Sequence, residues 1–184
     1  MPQAFEEWLA LTDILANDFL ESLEEVHKNL NSQFRRRAAF HFAFSYFEGC
    51  IFTLKQSMLF SVKGDNELSE AHIAMIKEQN YKIDRKGNAV SQKKFLRLED
   101  NIKFTFKAFA FIYGVDFDLN LDSDPRWNSL LKCISIRNRI THPKKTDDMT
   151  LSSGEIKHIH NAFSLFRDVT KELRCFVQDW QTLR

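Results

Sequence analysis

Apolar residues recur along most of this chain at intervals of three and four, the spacing that gathers side chains on one face of an α-helix. Phe5, Trp8, Leu9, Leu15, Phe19, Leu23, Val26 and Leu30 keep that spacing and predict a first helix from about Pro2 to Leu30. Asn31-Ser32 breaks the run and offers a cap for the next helix. That second helix, about Gln33 to Val62, carries Phe40, Phe42, Phe44, Phe47, Ile51, Phe52, Leu54, Met58 and Leu59 around most of its circumference. A helix apolar on most sides is packed on several of them, so it is expected at the centre of a bundle.

From Lys63 to Lys94 the pattern changes. Asn66 to Gln79 suits a short helix through Leu68, Ile73 and Ile76, and Tyr81 to Val90, centred on Lys86-Gly87-Asn88, suits an exposed loop or a small hairpin. This stretch is expected to be an insertion between core helices. A third core helix is predicted from about Lys94, through Phe95, Leu98, Ile102, Phe106 and Phe109, to a stop near Gly114. Ser123-Asp124-Pro125 starts another: a capping side chain, then proline where its missing N–H costs nothing. It should end at His142-Pro143. Ser152-Ser153-Gly154-Glu155 has capping-box spacing and opens a last helix to about Thr182, through Ile159, Phe163, Phe166, Val169, Leu173, Phe176 and Trp180. The expectation is one all-α domain over 1–184, a bundle of about five core helices with an irregular insertion at 63–94 between the second and third.

Composition agrees with long helices: only 5 glycines and 3 prolines stand among 184 residues, while 18 phenylalanines promise an aromatic core. A net charge of +1 announces no nucleic-acid binder in bulk, so any basic surface must be local. Cys50, Cys133 and Cys175 lie far apart in apolar helical patterns and read as reduced, buried thiols. The acidic, amphipathic start is unlike a signal peptide, and the most apolar stretch, Ala38 to Phe60, is interrupted by His41, Glu48, Lys55 and Gln56. A cytoplasmic protein that does not span a membrane is expected.

The chemistry concentrates in Arg137-Asn138-Arg139-Ile140-Thr141-His142. On the helix that holds it, Trp127, Leu131 and Ile134 form one apolar stripe, and Cys133, Ile136 and Ile140 another on a different side. Such a helix is sandwiched, either within the bundle or at a subunit interface. Asn138 and His142 continue the Trp127–Leu131 stripe, with Arg137 at its flank. Polar groups there need partners or a wet cleft. Pro143 disfavours the α conformation at His142 and turns the imidazole out at the helix end. The macrodipole favours the charged imidazole there, while Arg137, Arg139, Lys144 and Lys145 oppose it. An imidazole near neutrality beside a guanidinium suits phosphodiester chemistry, one moving protons and the other holding anionic oxygens.

In these residues the chain resembles the HEPN domains, whose mark is an arginine, four to six further residues and a histidine, often with a polar residue directly after the arginine. Arg137, Asn138 and His142 match it, on the expected helix and with a long helix following; the 63–94 insertion is not covered. The resemblance implies a homodimer with two copies of the motif facing a cleft. It also implies a metal-independent endoribonuclease in which the ribose 2′-hydroxyl attacks the adjacent phosphorus, leaving 2′,3′-cyclic phosphate and 5′-hydroxyl ends. His142 would be the general base or acid, Arg137 would bind the phosphate and Asn138 would orient one of them, with no cofactor. A toxin or defence effector checked by an antitoxin or regulatory protein follows from the same resemblance; a non-catalytic module that dimerises and binds RNA, a nucleotide or a protein is the other. Some toxins of the family carry a tyrosine two residues after the histidine, a site of modification; here that position is Lys144.

Several other groups have two readings. Glu48, a charge on the most apolar helix, either holds Arg137 or His142 or marks a less enclosed spot. His158 and His160 point about 200° apart on a helix and cannot chelate one ion together, so solvated positions are expected, and Asp147-Asp148 reads as a solvated loop. No metal is implied. Arg35-Arg36-Arg37 reads as a solvated face or an RNA or partner contact. Lys82, Arg85, Lys86, Lys93, Lys94 and Arg97, in and after the insertion, are candidates for gripping RNA phosphates, with Lys144 beside the motif.

Overall fold

A computed structural model describes the backbone of residues 3–61, 68–114 and 121–182. Among them are six α-helices and one antiparallel pair of strands: α1 (Gln3–Lys28), α2 (Gln33–Ser61), α3 (Glu70–Ile76), β1 (Gln79–Ile83), β2 (Ala89–Lys93), α4 (Leu98–Ile112), α5 (Pro125–Thr141) and α6 (Ser153–Thr182). Helix makes up 76% of the structure and the only strands among the described residues lie in the 63–94 segment, so the protein is predominantly helical. No described helix is long and apolar enough to cross a membrane. Residues 62–67 and the side chains of Phe5, Phe176 and Trp180 fall outside the described residues.

Close contacts gather the chain into two compact units, one of residues 1–8 and 51–119, the other of residues 9–50 and 120–184. The first is built on Trp8, Leu54, Met58, Ile76, Ile102, Phe106 and Phe109, all buried. Trp8 and Phe109 meet at 5.8 Å between ring centroids, and Phe109 and Tyr113 at 4.6 Å. Each such side chain, taken from water, contributes on the order of 1.5–3 kcal/mol. Within this unit Lys55 is buried and donates from Nζ to Glu78 Oε1 at 3.0 Å, which also accepts from Asn101 Nδ2 at 3.3 Å. Burial lowers the Lys55 pKa from its ordinary value, against the pull of Glu78.

That network roots the hairpin. Glu78, at φ 51°, turns the chain into β1, and its carbonyl accepts from Lys94 N at 2.7 Å, one rung beyond the strands. Tyr81 lies opposite Ser91, Ile83 opposite Ala89 and Gln79 opposite Lys93. Asp84 closes the turn by accepting from the backbone N–H groups of Lys86 and Asn88, both at 2.8 Å, while Gly87 takes the left-handed conformation, φ 82°. The helix expected from Lys94 begins instead at Leu98. Lys94 is drawn into the ladder, Arg97 is extended at the cap position, and Phe95 is 83% exposed rather than in the core.

The second unit packs the rest of α1 and the first half of α2 with α5 and α6. Phe19 and Tyr46 lie 4.6 and 5.0 Å from Phe163, and Phe47 lies 4.5 Å from Phe166. Gly49 sits so close to α1 that a Cβ there would overlap Leu15 Cδ1. The expectation that α2 is enclosed on several sides is corrected here. Phe40, Ala43, Phe44, Tyr46, Phe47 and Cys50 are buried, but Phe34 (73%) and Phe42 face solvent. Its composition is apolar on both faces and only one is covered.

Candidate functional site

The site helix is set in place from its start. Asp124 caps α5, accepting from Arg126 N at 2.8 Å, with Pro125 in the first turn. The Arg126 guanidinium folds back on Asp124 (Nη2 to Oδ2, 2.7 Å) and bridges to Asp168 of α6. That pairing lowers the Asp124 pKa and raises that of Arg126. Trp127, Leu130, Cys133, Ile136 and Ile140 then anchor α5. The Trp127–Leu131–Ile134 stripe differs from expectation: Trp127 is buried, but Leu131 and Ile134 are only half-buried. Within one chain α5 is therefore not enclosed on two sides, and Asn138 and His142 lie exposed along the open one.

Arg137 leaves α5 toward α2. Its Nη2 donates to Glu48 Oε1 at 3.0 Å, and its guanidinium lies 5.6 Å from the centre of the Phe44 ring, one turn before Glu48 on the same helix. Phe44 is buried, so the arginine rests on a fixed aromatic platform. The pair stays wet, with 39% of the Arg137 side chain and 49% of the Glu48 side chain exposed. The remaining guanidinium donors are thus open to an anion.

His142 closes α5. Its N–H still reaches the Asn138 carbonyl at 3.0 Å, but its backbone has left the helix (φ −126°, ψ 59°), as the following proline requires. Asn138 and His142 are thereby joined through the backbone.

The stretch that follows is tied down from a distance. Leu151 is buried, its N–H donates to Gln33 Oε1 at 2.7 Å and its carbonyl accepts from Gln33 Nε2 at 3.2 Å. Arg36, almost fully buried, donates to the carbonyl of Leu151, to that of Leu30 at 2.7 Å and to Ser153 Oγ at 3.1 Å. Arg37 donates to the Met149 carbonyl at 2.9 Å, and Arg35 to that of Glu25 at 3.0 Å. The three arginines, read as a solvated face or an RNA contact, instead bind backbone carbonyls. Lys144 is exposed, and its N–H and that of Lys145 donate to Asp148, so this loop is ordered around one aspartate in a 3₁₀ turn. Those bonds lower the Asp148 pKa. Arg139 holds Glu155 at 2.7 Å, and Glu155 and Ser152 form the expected reciprocal cap at the start of α6.

His158 departs from a solvated position: it is half-buried, its Nδ1 lies 3.2 Å from Ser129 Oγ, and burial lowers its pKa. No group of three or more metal-ligating side chains converges among the described residues. Lys93, Lys94 and Arg97 belong to the other compact unit; Lys93 and Lys94 are exposed, and Arg97 is paired with Glu99 at 3.3 Å and Asp100 at 2.9 Å. Gln33 was not singled out in the sequence, and the clamp that it forms with Arg36 on the Leu151 carbonyl was not legible there, since a backbone carbonyl leaves no mark in a sequence.

Compared with models of known protein families, with characterised proteins and with solved structures, the chain finds no match.

Proposed function

We propose that the protein is a metal-independent endoribonuclease of the HEPN type, acting in the cytoplasm as a toxin or antiviral defence effector under the control of a neutralising partner. The observation that carries this reading is the seat of Arg137, a part-exposed guanidinium held against Phe44 and Glu48 five residues before an exposed His142. In this reading Arg137 holds the non-bridging phosphate oxygens. The 2′-oxygen forms its bond to phosphorus as the bond to the 5′-oxygen breaks, and His142 takes the 2′-hydroxyl proton or returns one to the departing oxygen. Asn138 orients the substrate or the imidazole, and Glu48 is a positioning residue for Arg137.

Half-covered Leu131 and Ile134 beside exposed Asn138 and His142, with Phe34 and Phe42 bare on α2, support a homodimer with the motif at its interface. A second reading has one observation in its favour. Glu48 already engages Arg137, which suits a non-catalytic dimerisation or RNA-binding module in which the pair is structural.

Purified protein incubated with mixed RNA and a chelator separates the two. Cleavage with 2′,3′-cyclic phosphate ends, reduced by about 10²–10⁴ in His142→Ala and lost in Arg137→Ala, supports the enzyme. Binding without cleavage supports the module, and a strictly monomeric protein counts against the shared cleft.

A further inference from the structure

The net charge of the chain hides an uneven distribution. Between Gln79 and Phe95 stand five basic side chains, Lys82, Arg85, Lys86, Lys93 and Lys94, and one acidic, Asp84. Asp84 is spent on the turn, accepting from the Lys86 and Asn88 N–H groups. With that one carboxylate against five cations, the hairpin carries a local excess of four positive charges.

The same hairpin exposes apolar surface. Gln79, Tyr81, Ile83, Ala89, Ser91 and Lys93 share one face by register, and Tyr81 (63%) and Ile83 are largely exposed. Phe95 continues past Lys93, whose Nζ stands 5.2 Å from the centre of its ring. A two-stranded hairpin is marginal alone in water, and an aromatic face left bare on it needs a reason. The root supplies rigidity, since Lys55, Glu78 and Asn101 fasten its base and Glu78 pairs with Lys94.

We infer that this face of the hairpin is a platform for single-stranded nucleic acid, with bases stacking on Tyr81 and Phe95 and phosphates drawn to Lys93 on the same face and to Lys86 in the turn. Charge selects a polyanion, and bare aromatic rings select one whose bases are unpaired; a duplex hides those faces, and an acidic peptide has none. This deepens the ribonuclease reading by naming a single-stranded substrate.

The test uses the full chain and two 5′-fluorescein-labelled probes, an rU15 strand and a dT15 strand. The DNA strand lacks the 2′-hydroxyl and so cannot be cut by the proposed chemistry. Fluorescence anisotropy should show both strands binding more tightly than a 15-base-pair duplex. Tyr81→Ala and Phe95→Ala each weaken dT15 binding roughly tenfold, the cost of one lost stacking partner. Lys86→Gln with Lys93→Gln lowers the salt slope by about 0.7 per lost phosphate contact.

Equal affinity for duplex and single strand overturns the inference. So does dT15 binding that falls in the lysine variant and not in the aromatic ones, which is attraction without stacking, or tighter binding of poly-glutamate than of dT15. Binding of dT15 that behaves as described, in a protein that never cleaves rU15, sinks the ribonuclease reading and leaves the platform standing.

Discussion

Replacing Arg36 by methionine keeps the stem of the side chain and removes the buried guanidinium. Its hydrogen bonds go to Ser153 Oγ and to two carbonyls, and the carbonyls have different fates. Leu30 is exposed, so its oxygen is rehydrated once the arginine is gone. Leu151 is fully buried, and its oxygen is left with Gln33 Nε2 at 3.2 Å as its remaining donor. A hydrogen bond from a charged donor is worth about 1.5–3 kcal/mol net, and an under-satisfied buried carbonyl costs about as much. With rehydration at Leu30 offsetting part of this, Arg36→Met should destabilise the protein by roughly 3 kcal/mol. Arg35→Met is the control. Its pair with Glu25 at 3.3 Å has both side chains more than a third exposed, so the loss should stay under about 1 kcal/mol. Urea unfolding at constant m-value measures both. A loss below about 1 kcal/mol for Arg36→Met, or one equal to that of Arg35→Met, refutes the claim that this side chain clamps the loop after the motif.

Four shorter predictions accompany it. Asp124 has a lowered pKa in the folded protein, so its contribution is present above the unfolded value and disappears as pH falls through the folded one; Asp124→Asn, which keeps the cap, should flatten the acid limb of a stability–pH curve. Cys50 and Cys133 are buried as expected, and burial pushes their thiols up to about 12, but Cys175, expected buried, is exposed; iodoacetamide at pH 8 should therefore label Cys175 alone in the native state and all three in urea, by mass spectrometry. Leu130→Ala, at a fully buried position of α5, should cost about 2–5 kcal/mol in thermal or chemical unfolding. His142→Ala should leave stability within about 0.5 kcal/mol, since the side chain is exposed; a larger loss gives the imidazole a structural duty instead.

Helix boundaries were legible because they rest on local chemistry. Asp124-Pro125 and the Ser152–Glu155 box are read within four residues, and both appear where expected. The start of α4 was not legible, since Phe95 and Leu98 fit a helical period while the strand pairing of Lys94 with Glu78 overrides it from sixteen residues away. Coverage escaped the reading for a similar reason. The apolar circumference of α2 and the Trp127–Leu131–Ile134 stripe are visible in sequence, but which face meets a neighbour within the chain depends on the whole packing. At the site, the pairing of Glu48 with Arg137 was one of two readings, and the structure shows the contact. The role of Arg35-Arg36-Arg37 could not be read, because backbone carbonyls have no signature in a sequence.

The clamp on the loop has a consequence for how the molecule comes into being. Gln33, Arg36 and Arg37 leave the ribosome early, and the carbonyls they hold lie 118, 115 and 112 residues downstream. At ordinary translation speeds that separation is on the order of ten seconds. Until then Arg36 has only its local partner, the Leu30 carbonyl, and the stretch after His142 has nothing to settle against. A nascent or prematurely terminated product therefore lacks an ordered motif end, however well α1 and α2 have formed.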